Sequence, residues 1–130
     1  MDVKTDTKEK FTVITPEVEQ ISANMTGNLQ EMLLTYLGKD IPHIIINLQH
    51  VAGMEPGVAH MLTNLHKQFY DHGASFIVCC MQKEVERMLD EQGFLELLNV
   101  TPTESEAWDI AQMEEIEREL MKDFDNNTDS

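Results

Sequence analysis

Positive charge is scarce in this chain: 9 lysines and arginines stand against 24 aspartates and glutamates in 130 residues, a net charge of −15 at pH 7. Such a surface repels phosphates, which argues against nucleic acid and anionic membranes and for a neutral or basic protein partner. Cysteine is scarcer still. The only two, Cys79 and Cys80, are adjacent in an apolar stretch that reads as a strand, where neighbouring side chains point to opposite faces. A structural disulfide is therefore not expected, and both read as reduced core residues. No apolar run approaches membrane-spanning length, and Met1–Lys10 is charged without the apolar segment of a signal peptide, so a cytoplasmic location without membrane insertion is expected.

Recognisable reaction chemistry is also missing. The turn after the central apolar stretch holds only Gly53 and Gly57, far from GxGxxG or P-loop spacing. The five histidines, at 43, 50, 60, 66 and 72, include no i, i+4 pair, and no Cys or His lies at zinc spacing. They read as isolated surface histidines, and neither a metal nor another cofactor is expected. Ser22, Ser75 and Ser105 lack an elbow motif, and a strand-buried Cys79 is not the electropositive setting a thiolate nucleophile needs. Glu55 alone makes no catalytic pair. The chain reads as a non-enzyme without catalytic residues.

What is present is organised around His43–Cys80. Ile44, Ile45, Ile46 and Leu48 form a β-branched run without polar alternation, as in a parallel strand covered on both faces. Glu55-Pro56-Gly57 breaks it, and Pro56 suits the first helical position, where its missing N–H costs nothing. Val58, Met61, Leu62, Leu65 and Phe69 then make one apolar helical stripe. His72-Gly73 ends that helix, and Phe76–Cys80 is the next strand, which completes a right-handed βαβ unit. Glu55 sits where a parallel strand ends and a helix begins, the edge at which open α/β sheets place ligands and partners.

Around this unit, Phe11–Ile14 and Val18–Ile21 read as a hairpin turning at Thr15-Pro16-Glu17. Thr26 is placed as the cap of a helix bearing Leu29, Met32, Leu33, Tyr36 and Leu37 and ended by Gly38. Lys83–Gln92 is a third helix stopped by Gly93, with a last strand near Leu97–Val100. Thr103-Glu104-Ser105-Glu106 fits a capping box opening a final helix to about Phe124. In domain terms, residues 1–10 are a flexible N-terminus, 11–118 a single domain and 119–130 an acidic helical extension with a disordered end at Asn126–Ser130. The predicted fold class is α/β: a mixed, largely parallel sheet of four or five strands, with helices starting at Thr26, Pro56, Lys83 and Glu104 mainly on one face. Within the final helix Met113, Ile116, Leu120 and Phe124 form a narrow seam among acids. Residues 104–130 hold ten acids and two bases. The seam reads either as part of a solvated helix or as a contact with a partner or with a second copy in a homodimer.

The run IIINLQHVAGMEPGVAHML, with HGASFIVCCMQKEVERMLDEQGFLELLNV and TPTESEAW, resembles the STAS domain family over about residues 11–112. Its best-known members are bacterial anti-sigma factor antagonists. In that family an Asp-Ser-Ser/Thr-Gly turn opens the central helix, and its first serine is phosphorylated by an anti-sigma factor that is a serine kinase. An ungapped reading places Asn47 at the family's strand-end Asp, Glu55 at the Asp of the turn, Pro56 at the phosphoacceptor, Gly57 at the next hydroxyl and Val58 at the glycine. A shift by one puts Glu55 on the phosphoserine. Either way no hydroxyl is present.

The resemblance implies a STAS-like fold and a regulatory protein-binding module in transcription control, not phosphorylatable at the usual turn. Its partner would be a serine kinase-like anti-sigma factor or another regulatory protein, bound through Glu55, Pro56, Gly57, His60 and Asn64. Two other readings stand beside it: an accessory subunit of a lipid-transport ATPase or stress-signalling scaffold, and a small enzyme of flavodoxin-like build, for which no nucleophile, base or cofactor loop is found.

Overall fold

A computed structural model describes residues 1–128, with side chains to Asp123. The chain runs β1 (Val3–Thr7), β2 (Thr12–Pro16), β3 (Gln20–Ile21), α1 (Thr26–Leu34), β4 (Ile44–Asn47), β5 (Gly53–Met54), α2 (Pro56–Asp71), β6 (Phe76–Cys79), α3 (Lys83–Glu91), β7 (Asn99–Thr101) and α4 (Glu104–Thr128). The main sheet has five strands in the order β1-β2-β4-β6-β7. Neighbours from β2 onward are parallel, and β1 alone is antiparallel.

The isoleucine run explains the layering. Strand side chains alternate between faces, so Ile44 and Ile46 enter the core beneath α1, α2 and α3, while Ile45 points to the other side with Val13, Ile77 and the small residues Ala107 and Ala111 of α4. Both faces are covered, which is why β4 and β6 carry no polar alternation. Three helices lie on one face and the start of α4 closes the other, giving the predicted α/β class with helices mainly on one side.

Several local expectations are corrected. Residues 1–10, read as a flexible N-terminus, contain β1, whose five residues pair with β2 from Val3 opposite Pro16 to Thr7 opposite Thr12. Only Val3 packs against the core and its other four side chains stay outside, so hydrophobic pattern could not reveal it; the pairing is made by backbone groups. The predicted hairpin does not form. β1 takes the antiparallel place beside β2, Pro16 ends β2, and the chain continues into β3, which pairs in parallel with β5 as a separate two-stranded sheet. Thr26 is not the helix cap but its first residue, following a 3₁₀ turn at Ala23–Met25, and its Oγ1 donates to the Ala23 carbonyl at 2.7 Å. The last strand lies slightly later than expected, at Asn99–Thr101, behind a 3₁₀ turn at Leu95–Leu97.

α4 opens at Glu104 as predicted, with one half of the expected capping box in place: the Glu106 N–H donates to Thr103 Oγ1 at 3.2 Å. It continues past Phe124 to Thr128, which takes in part of the segment expected to be disordered; the rest of that segment, Asp129 and Ser130, and the Phe124 side chain lie outside the described residues. Cys79 and Cys80 are free, and Cys79 is buried. Cys80 departs from the reading as a core residue. Its φ of +62° ends the strand's alternation, so its sulfur sits 3.4 Å from that of Cys79 instead of on the opposite face, and the residue is half-buried.

Candidate functional site

The turn into α2 is built by the two small strands. At the end of β4, Asn47 Oδ1 accepts the Gln49 N–H at 2.9 Å, turning the chain out of the sheet. Its Nδ2 donates to a carboxylate oxygen of Glu104 at 3.2 Å. An aspartate here would set two carboxylates against each other, whereas the asparagine amide can donate. β5 then lies against β3, and the Glu55 N–H donates to the Ile21 carbonyl at 3.1 Å. Glu55 is the N-cap residue, extended at φ −75° and ψ 152°, and its carbonyl accepts the Val58 N–H at 2.9 Å. Its carboxylate makes no capping bond and is exposed. Pro56 occupies the first helical position, as predicted.

α2 is anchored by Val58, Ala59, Met61, Leu62, Leu65 and Phe69, all buried. Glu55, Pro56, Gly57, His60 and Asn64 are all exposed. Helical spacing of three to four residues sets 57, 60 and 64 along one ridge leading from the turn. The five residues named from the sequence are thus brought together on one surface, at the carboxyl ends of the parallel strands. The His60 ring meets Phe94 edge-on at 6.2 Å between centroids, which ties the ridge to the loop after α3. At Gly57 an added Cβ would meet only Ala23 Cβ, at 3.7 Å, an ordinary van der Waals contact. Nearby hydroxyls have local duties: Thr63 Oγ1 donates to the His60 carbonyl at 2.8 Å, and Ser22 Oγ to Asn24.

At the opposite end of the sheet the structure assembles a polar group that sequence reasoning missed. His43, expected at the surface, is only 12% exposed in its side chain, and Nε2 lies 2.8 Å from Glu115 on α4. Its Nδ1 accepts the Ser75 N–H at 3.0 Å. Because that backbone N–H can only donate, Nδ1 must be unprotonated, and the ring is neutral with its proton on Nε2 directed at Glu115. Burial lowers the His43 pKa from the usual 6.5, and nearby Arg118 lowers it further, against the raising effect of Glu115 and Glu114. Arg118 contacts Glu115 at 3.4 Å and donates to Ser75 Oγ at 3.0 Å. His66 also departs from the surface reading: burial lowers its pKa, opposed by Glu114. No local signal marks this cluster, since its members lie on three separate segments. Trp108 packs on Phe11 at 5.0 Å, and its buried Nε1 has no hydrogen-bond partner among the described residues.

Among the described residues no helix is long and apolar enough to cross a membrane. The fold closely follows known structures. A candidate anti-sigma factor antagonist from Thermotoga maritima superposes with a TM-score of 0.76 at 16% identity, covering 85% of this chain and 94% of that one. An anti-sigma factor antagonist from Mycobacterium paratuberculosis gives 0.74 at 14% identity, with 85% and 93% covered. The Bacillus antagonist SpoIIAA in its unphosphorylated form gives 0.68 at 12%, with 85% and 96% covered. At such identities the likeness concerns the fold. The sequence itself matches the STAS domain profile over residues 2–107, from β1 into α4, and this chain belongs to the STAS domain family.

Proposed function

We propose that this STAS domain is a bacterial, cytoplasmic regulator of anti-sigma factor antagonist type that works by binding a protein and has no phosphorylation switch at its central turn. The observation that carries the reading is the ridge of Glu55, Pro56, Gly57, His60 and Asn64, exposed at the head of a helix whose other face is wholly buried. A rigid exposed ridge gives recognition without reordering of the backbone, which keeps the entropic cost of binding low. At the position where the resemblance puts the phosphoacceptor stands Pro56, which has no acceptor oxygen. Glu55 presents an exposed carboxyl group beside it. The partner that fits is a serine kinase-like anti-sigma factor, held without being able to modify the turn. Recognition rather than catalysis is the activity assigned.

Two measurements test this. Incubation with its anti-sigma kinase and ATP should leave residues 55–64 unmodified by mass spectrometry. Phosphate on Thr63, or elsewhere on the turn, would overturn the unswitched reading. In parallel, the double change Glu55→Lys and Asn64→Arg should weaken binding of the anti-sigma factor by about tenfold or more, as expected when charge is reversed at one contact and a bulky charge is introduced at another. Unchanged affinity would remove the ridge from the interface.

A further inference from the structure

We propose that the outer face of α4 and the groove beside it dock a basic amphipathic segment of a partner protein, forming a second recognition surface. Met113, Ile116 and Leu120 stand at i, i+3 and i+7 and are 57%, 56% and 63% exposed, with Met121 beside them at 61%. The domain is closed by Ala107 and Ala111 on the opposite side of the same helix, so the exposed chains add little to the core of their own fold. Apolar side chains aligned in water on one helix mark a contact surface.

The stripe is continuous with a groove of about 330 Å³ between α4 and the segments entering β2 and β4. Phe11, Ile41, Ala111 and Ile116 supply its apolar lining, and Ile116 belongs to both stripe and groove. Glu9, Asp40, Glu115 and Glu119 line it too, and among the described residues Lys10 is its only lysine or arginine. Charge selects the occupant. Residues 104–130 carry ten acids and two bases, so a second copy of this helix or an anionic lipid surface would be repelled, whereas lysines and arginines flanking an apolar stripe would be attracted. An amphipathic helix with apolar anchors at i, i+3 or i+4 and i+7 matches the spacing offered. α4 covers the face of the sheet opposite α2, so the surface lies apart from the ridge at Glu55 and its occupancy does not depend on the function assigned to that ridge.

The test uses the full chain and a fluorescein-labelled synthetic helical peptide with leucines at i, i+3, i+4 and i+7 and lysines elsewhere. Two controls accompany it: the same peptide with glutamate for lysine, and one of scrambled order. Anisotropy should show binding of the lysine peptide that weakens as salt is raised, with both controls about tenfold weaker or more. The double variant I116Q/L120Q keeps every charge and changes only exposed positions, and should cost about tenfold or more in affinity with an unchanged circular dichroism spectrum. Equal binding by that variant would reduce the effect to non-specific attraction and overturn the proposal. Absence of binding would do the same, as would a dimer in light scattering that I116Q/L120Q converts to monomer, since a second copy would then be the occupant.

Discussion

His43 is held by a donor on one nitrogen and a carboxylate on the other, and this makes its protonation a property of the fold. Burial depresses its pKa below 6.5, so between that value and the folded-state value the unfolded chain binds the extra proton and the native chain does not. The contribution of this group is fully present above about pH 6.5 and is lost as the pH falls through the folded-state value, with Glu115 reducing the effect. The charged and titratable groups facing it on α4 are Glu114, Glu115 and Arg118. His43→Gln retains an acceptor for Ser75 and a donor for Glu115 but cannot titrate. Its urea midpoint should therefore fall less between about pH 7.5 and 5.5 than that of the parent chain. Parallel curves would show that His43 does not report on folding. The same scale holds the Asn47–Glu104 contact, which joins the end of β4 to the first residue of α4, and the left-handed Cys80, which sequence alternation placed on the wrong side.

Among the elements, β1 contributes most to the difference between the expected and the observed sheet. It covers the edge of β2, a strand buried over its whole length, and its own outward side chains include Lys4 and Asp6, charges of the kind that keep a sheet edge from pairing with another chain. Deleting residues 1–10 should uncover β2, lower the urea midpoint and raise light scattering by association of the bared edges. A deletion variant that stays monomeric with an unchanged midpoint would mean that β1 is dispensable. The α2 element, by contrast, was legible from end to end. Pro56 at its start, the apolar stripe through Phe69 and Gly73 at φ +73° after its end are local signals that need no distant partner.

For the whole molecule, the net charge of −15 opposes compaction and is concentrated in α4, half of which lies beyond the domain's closing contacts. Removing Glu119–Ser130 takes away four acids and one base. Ala107, Ala111, Glu115 and Arg118, with their contacts to the sheet side and to His43 and Ser75, remain. The truncated chain should keep cooperative unfolding and the emission of Trp108, the single tryptophan, with a midpoint within a few degrees of the parent and a weaker dependence on salt. Loss of the cooperative transition would show that the second half of α4 is part of the fold and not an extension of it.

The strand end, the helix start at Pro56 and the place of Glu55 at the sheet edge could be read from local rules, whereas the ridge Glu55, Pro56, Gly57, His60 and Asn64 was named from the family resemblance. The core faces of β4, β6, α2 and α3 follow equally from patterns of apolar residues within a few turns of chain. β1, the β3–β5 pair and the His43–Glu115–Ser75–Arg118 cluster could not be read in this way. Strand pairing uses backbone groups that every residue except proline offers in full, so a polar edge strand leaves no pattern of its own. The cluster joins residues as far apart in sequence as His43 and Arg118, and whether a histidine is buried and neutral depends on what the folded sheet brings against it. Composition and local pattern determined the βαβ centre and the acidic character; tertiary structure decided which edge β1 covers, where α4 runs and which polar groups it buries, because those outcomes are set by contacts between segments that are distant in the chain.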